Sequence, residues 1–132
     1  MNNVASTLEQ ELNVLFSSYM DIETAIELIA LSTTDGFSVC ARARDMRNYE
    51  SDKIAAAAST LYSVSNAVAK QILTSEFETA FVETNRGNMA FVSLSNSKGD
   101  YVLAVSASGA INIAKLRLRI KNLAAELSAK LA

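Results

Sequence analysis

The sequence predicts an α+β domain in which one five-stranded antiparallel sheet packs against helices, in the order α-β-β-α-β-β-β-α. Three observations carry this reading. Apolar residues recur every three or four positions near both ends and in the middle of the chain. Between those stretches they alternate. Each change of period falls on a cluster of Asp, Asn, Gly and Ser. The 132 residues, 50% of them hydrophobic, make one domain, read as a single unit over 1–132. A chain of about this length hides roughly two thirds of its unfolded surface without disulfides or metal.

In the first segment Val4, Leu8, Leu12, Leu15, Phe16 and Tyr19 fall on one helical stripe over residues 3–20. From Thr24 the spacing alternates. Ile26, Leu28 and Ala30 point one way and Ala25, Ile29 and Leu31 the other, with Glu27 the exception, which predicts a central strand apolar on both faces. Thr34-Asp35-Gly36 closes a tight turn, and residues 37–43 return as a second strand. Residues 42–50 form a polar loop, and Ser51-Asp52 opens a long helix running to about Leu73. Its apolar stripe is Ile54, Leu61, Val64, Val68 and Ile72. A second face carries Ala56, Ser59, Ser63, Asn66 and Lys70, either the close approach of another helix or a solvated small-residue surface.

Strands at 77–84, 89–95 and 101–106 are separated by Asn85-Arg86-Gly87-Asn88 and Asn96-Ser97-Lys98-Gly99-Asp100, two hairpin turns that make a meander. Asn112 caps a closing helix with Ile113, Leu116, Ile120, Leu123, Leu127 and Leu131 on its inner stripe.

Composition narrows the chemistry. There is no His, so Ser-His and Cys-His nucleophile pairs and most zinc and iron sites are excluded. The four glycines, at 36, 87, 99 and 109, are too dispersed for a dinucleotide turn or a P-loop. A Ser-Lys dyad or carboxylate chemistry is what remains for an enzyme. The reading is therefore a protein that is not an enzyme and holds no cofactor or metal.

The single Cys40 forms no intrachain disulfide and reads as a small buried hydrophobe. Residues 1–7 lack a basic stretch followed by an apolar one, and no run is long enough for a membrane span, which predicts a cytoplasmic protein. The net charge of -2 and the lack of a basic-aromatic ladder speak against nucleic acid. Acidic residues crowd positions 1–35, while Lys115, Arg117, Arg119, Lys121 and Lys130 crowd the last helix, so that helix is expected to pair with the acidic first third or to face solvent.

Five pieces in order carry a resemblance. They are residues 26–37 (IELIALSTTDGF), the Ala-rich helix 54–72, residues 80–84 (AFVET), residues 101–105 (YVLAV) and residues 111–127 (INIAKLRLRIKNLAAEL). Over about residues 22–131 the chain resembles the roadblock/dynein light chain family, whose fold is a profilin-like and longin-like layer. The helix before Asp21 is longer than in minimal dynein light chains and is similar to that of the bacterial and archaeal branch.

The resemblance implies a homodimer. The middle helices of two protomers would lie side by side and the strands after them would join edge to edge, with Ala56, Ser59, Ser63, Asn66, Lys70, Glu78, Ala80 and Val82 at the contact. It also implies a platform that binds and regulates a small Ras-like GTPase without lending it a catalytic residue. Arg42, Arg44 and Arg47 are the candidate GTPase contacts, an arginine finger if one exists and otherwise a solvated charged loop. A structural adaptor that leaves GTP hydrolysis untouched, and a small-molecule sensor, are the alternatives.

Overall fold

The computed structural model of the protein describes residues 3–96 and 99–132, with side chains over 7–95 and 99–132. Part of the leader reading (residues 1 and 2), the Val4 side chain and the tip of the last hairpin (Ser97 and Lys98) lie outside the described residues.

The observed elements are α1 (Asn3–Ile22), β1 (Ile26–Thr33), β2 (Ser38–Ala43), α2 (Ser51–Gln71), β3 (Thr79–Glu83), β4 (Gly87–Asn96), β5 (Gly99–Ser108) and α3 (Ile113–Leu131), in the predicted order. A short 3-10 turn, Met46–Asn48, interrupts the loop before α2 and is capped by the Asp45 carboxylate, which accepts from the Arg47 N–H. Nothing in the apolar pattern announces it.

All pairings are antiparallel and the strand order is β2-β1-β5-β4-β3, so the two hairpin units join where β1 meets β5. The β1–β2 turn uses Gly36 at φ +99°, where a side chain would be strained, and Thr33 Oγ1 accepts from the Phe37 N–H across it. In the next hairpin Thr84 Oγ1 donates to the Gly87 carbonyl and accepts from the Arg86 and Gly87 N–H groups.

Helices α1 and α3 share one face of the sheet and touch each other, while α2 covers part of the other. The larger core lies under α1 and α3, built from Leu12, Phe16, Ile29, Leu31, Val92, Leu103, Leu116, Ile120, Leu123 and Leu127. The Tyr19 hydroxyl donates to Glu126 at 2.9 Å and ties the two helices together. Asn112 caps α3 as predicted, accepting from the Lys115 N–H at 2.8 Å.

Two face assignments are corrected. Ile26 packs with Ile29 and Leu31 instead of Leu28, because a bulge between Ile26 and Leu28 shifts the phase of β1. The larger correction concerns α2. Its buried residues are Ala55, Ala58 and Ala69, and the expected apolar stripe lies outside: Leu61 is 36% exposed, Val64 60%, Val68 41% and Ile72 72%. The sheet surface beneath α2 explains this. It offers Phe91, Val102 and Ala104 to Ala58, with Tyr62 and Ala80 at the margin, and the helix lies close on alanine, turning its branched side chains to the flank.

Candidate functional site

The flank of α2 that points away from the β1–β2 turn overlooks the end of the sheet. β3 is the edge strand there and pairs only with β4. Its Ala80 packs toward α2, and Val82 is 41% exposed. Between the first half of α2 and the β3–β4 hairpin runs a groove of 620 Å³ lined by Ile54, Ala57, Leu61, Val82, Met89 and Phe91, with Lys53 and Arg86 at its rim and Glu27 and Glu50 beside them. A second groove of 520 Å³ continues along Val64, Val68, Leu73 and Phe77. The Tyr62 and Phe77 rings meet edge to face, with centroids 5.6 Å apart, and fix the chain as it leaves the helix toward β3.

One continuous apolar surface therefore joins the α2 flank to an open strand edge. Large exposed apolar patches of this kind in a folded protein mark contact surfaces, and an unprotected edge strand is a template for pairing.

The small-residue set reads differently in three dimensions. Ala56, Ser63 and Lys70 are exposed, and Ser59 and Asn66 are half-buried. They occupy the opposite flank of α2, where a Cβ built on Gly36 would stand 3.3 Å from Ser59 Oγ, so Ser59 already packs against the turn of its own sheet. Glu78 lies just before β3 and reaches across to α3, where Arg117 Nη2 is 3.9 Å and Lys121 Nζ 3.7 Å from its carboxylate.

The three arginines are not brought together. Arg44 spans the corner where α1 leads into β1, donating from Nε to the Ile26 carbonyl at 2.7 Å and from Nη2 to the carbonyls of Met20 at 2.5 Å and Glu23 at 3.3 Å. Arg47 pairs with Asp45 at 2.9 Å and stays 90% exposed; its guanidinium and then its backbone N–H hold the Asp45 carboxyl below the usual range. Arg42 lies on the α1 side of β2, beside Asn13, Ser17 and Asp21. Sequence reasoning missed the structural work of Arg44, since the carbonyls at a helix end leave no side-chain pattern to match.

The basic residues of α3 divide. Lys115 and Arg119 approach Glu23 at 3.3 and 4.0 Å and Lys130 approaches Glu11 at 4.0 Å, so these three pair with the acidic first third. Arg117 and Lys121 pair with Glu78 instead.

Cys40 is buried, with its thiol 3.6 Å from Asn13 Oδ1, and burial together with the Glu9 carboxylate pushes its pKa up to about 11. The described residues hold no group of His, Cys, Asp or Glu side chains suited to a metal. No helix among them is long and apolar enough to cross a membrane.

Layering and surface together define the class: a helix–sheet–helix α+β protein whose second face is only part covered and ends in an open, apolar-flanked strand. The chain belongs to the Roadblock/LC7 domain family, which its residues 17–108 match. That stretch begins inside α1 and ends with β5; α3 lies beyond it. Nothing among curated proteins matches the sequence.

Solved structures agree on the fold. MglB of Myxococcus xanthus superposes with a TM-score of 0.78 at 16% identity, covering 98% of this chain and 90% of that one. The gliding protein MglB of Thermus thermophilus superposes at 0.79 and 14% identity, covering 93% and 90%. An MglB solved with a tetrameric arrangement superposes at 0.77 and 14% identity, covering 93% and 89%.

Proposed function

We propose that this protein is a homodimeric platform of the cytoplasm that binds a small Ras-like GTPase and regulates or positions it, with all 132 residues acting as one domain. The observation that carries the reading is the apolar flank of α2, Leu61, Val64, Val68 and Ile72, standing exposed beside the open edge of β3. A two-fold contact would cover this flank with its own copy and pair the two β3 edges, burying Ala80 and Val82 at the seam. Ala56, Ser59, Ser63, Asn66 and Lys70, on the other flank, are the competing contact.

The MglB-like fold supports the GTPase partner, because the family resemblance implies such platforms. The protein acts by binding one nucleotide state of the GTPase better than the other, since a partner shifts an equilibrium only by its differential affinity. It supplies no catalytic residue. Of the three arginines, Arg44 is tied to backbone carbonyls, which leaves the exposed Arg42 and Arg47 as the candidate GTPase contacts, the Arg47 pairing with Asp45 being weak enough to exchange.

The test mixes the protein with a small Ras-like GTPase of the same genome, loaded with GDP or with a non-hydrolysable GTP analogue, and follows complex formation by gel filtration and phosphate release from GTP. Binding that differs between the two states, with altered release, is expected. Equal binding with unchanged release would leave a structural adaptor, and no binding in either state would overturn both readings.

A further inference from the structure

β2 is the second open edge of the sheet. Arg44 N–H bonds to the Glu27 carbonyl at 3.0 Å, and Arg42 sits opposite Ile29 in the same ladder. That phase turns the backbone N–H and C=O of Arg42 and Arg44 toward β1 and those of Ala41 and Ala43 outward, away from the sheet. The strand reads Ser-Val-Cys-Ala-Arg-Ala and carries neither Pro nor Lys; what blunts this edge is its six-residue length, the register shift at Leu31/Ser32 and the single charge of Arg42.

Beside this edge lies a groove of 410 Å³ between β2 and the outer flank of α1, lined by Asn13, Val14, Ser17, Ser18, Asp21 and Arg42. Val14 is 70% exposed. Asp21 and Arg42 are both exposed, and neither side chain makes an ion pair or hydrogen bond among the described residues.

We propose that the β2 edge and its α1 groove are a second self-association surface, on which another copy of this chain docks β2 against β2 about a two-fold axis. The occupant follows from the charges. An isologous contact must be complementary to itself, and a groove that holds one unpaired acid beside one unpaired base meets that condition: each Asp21 faces the second copy's Arg42.

Register agrees. With Ala41 opposite Ala41 of the copy, Arg42 falls opposite Cys40 and not opposite its own like charge, and the outward groups of Ala41 are the ones that pair. The two-fold sets both α1 helices on one face of the joined sheet, Val14 flank toward Val14 flank. This surface is independent of the GTPase reading and of the α2 contact. Where both self-contacts form, the sheet continues through each protomer, and dimers add into larger open-ended species.

The test is sedimentation velocity of the full chain over a rising concentration series. Wild type should associate beyond the dimer as concentration rises. Asp21→Arg and Arg42→Glu should each weaken that step by roughly tenfold, since each places like charges across the seam. The charge-swapped double variant, Asp21→Arg with Arg42→Asp, should restore it. Hydrogen exchange at the Ala41 and Ala43 amides should slow in step with association.

Val64→Arg separates this proposal from the α2 reading: with that flank broken, the chain should still dimerise through β2 and show the same exchange protection. A Val64→Arg protein that stays monomeric at the highest concentration, or a charge swap that fails to restore association, would overturn the proposal.

Discussion

The guanidinium of Arg44 bridges three carbonyl oxygens at the end of α1 and the start of β1; Glu23 also accepts from the Ile26 N–H, so a shorter side chain would chiefly strip the Met20 and Ile26 oxygens of this donor. Arg44→Ala is expected to cost about 1–2 kcal/mol, seen as a lower urea midpoint at fixed protein concentration with an unchanged slope. Gly87 shows the opposite constraint. A Cβ there would stand 2.2 Å from the Ala107 carbonyl oxygen, and backbone cannot give way as a side chain can, so Gly87→Ala should destabilise by about 1–3 kcal/mol in the same measurement.

Cys40 sets a pH dependence. Its thiol pKa rises from 9.0 in the unfolded chain to about 11 in the fold, chiefly through burial. Below pH 9 both states keep the proton and stability is unaffected. Between pH 9 and 11 the unfolded chain loses it while the folded one retains it, so stability falls as pH rises. Cys40→Ala should flatten that part of the urea midpoint-against-pH curve; an unchanged slope would remove Cys40 as its source. The buried character of Cys40 was legible from its place in an alternating strand. The role of Arg44 was not, because backbone oxygens have no sequence signature.

Elements were the most legible level. Period changes and turn residues located every strand and α-helix, though not the 3-10 turn at Met46–Asn48, and Asn112 identified the start of α3 because a side-chain acceptor before a helical stripe satisfies orphan N–H groups. Asn112→Ala should cost about 1 kcal/mol, measured as loss of stability with the α3 amides exchanging faster. What periodicity could not show is which flank of α2 meets the sheet. The stripe of Leu61, Val64, Val68 and Ile72 has the right spacing for a core face, but the sheet beneath α2 already fills the space with Phe91 and Val102 and takes alanine. A hydrophobic stripe states that something apolar must cover it, and whether the cover is its own sheet or a second chain depends on residues distant in sequence. The bulge at Glu27 is hidden for a similar reason, since a one-residue shift in pairing is set by the partner strand.

At the scale of the whole molecule, the charge asymmetry between the two ends resolves into contacts: Glu23 and Glu11 of the acidic first third receive Lys115, Arg119 and Lys130 of α3, and the remaining basic residues brace Glu78 beside the open edge. One face of the sheet is thereby closed by α1 and α3, while the other ends in the apolar flank of α2 and the unpaired β3. In the proposed dimer a second copy covers this flank. Light scattering after gel filtration decides it, in an Arg42→Glu background and at a concentration low enough that the weakened β2 contact does not form. That protein should weigh twice the 14.2 kDa chain mass, Val64→Arg added to it should reduce the mass to one chain, and Ser63→Arg should leave the dimer intact. A dimer that survives Val64→Arg and dissociates with Ser63→Arg would move the contact to the small-residue flank.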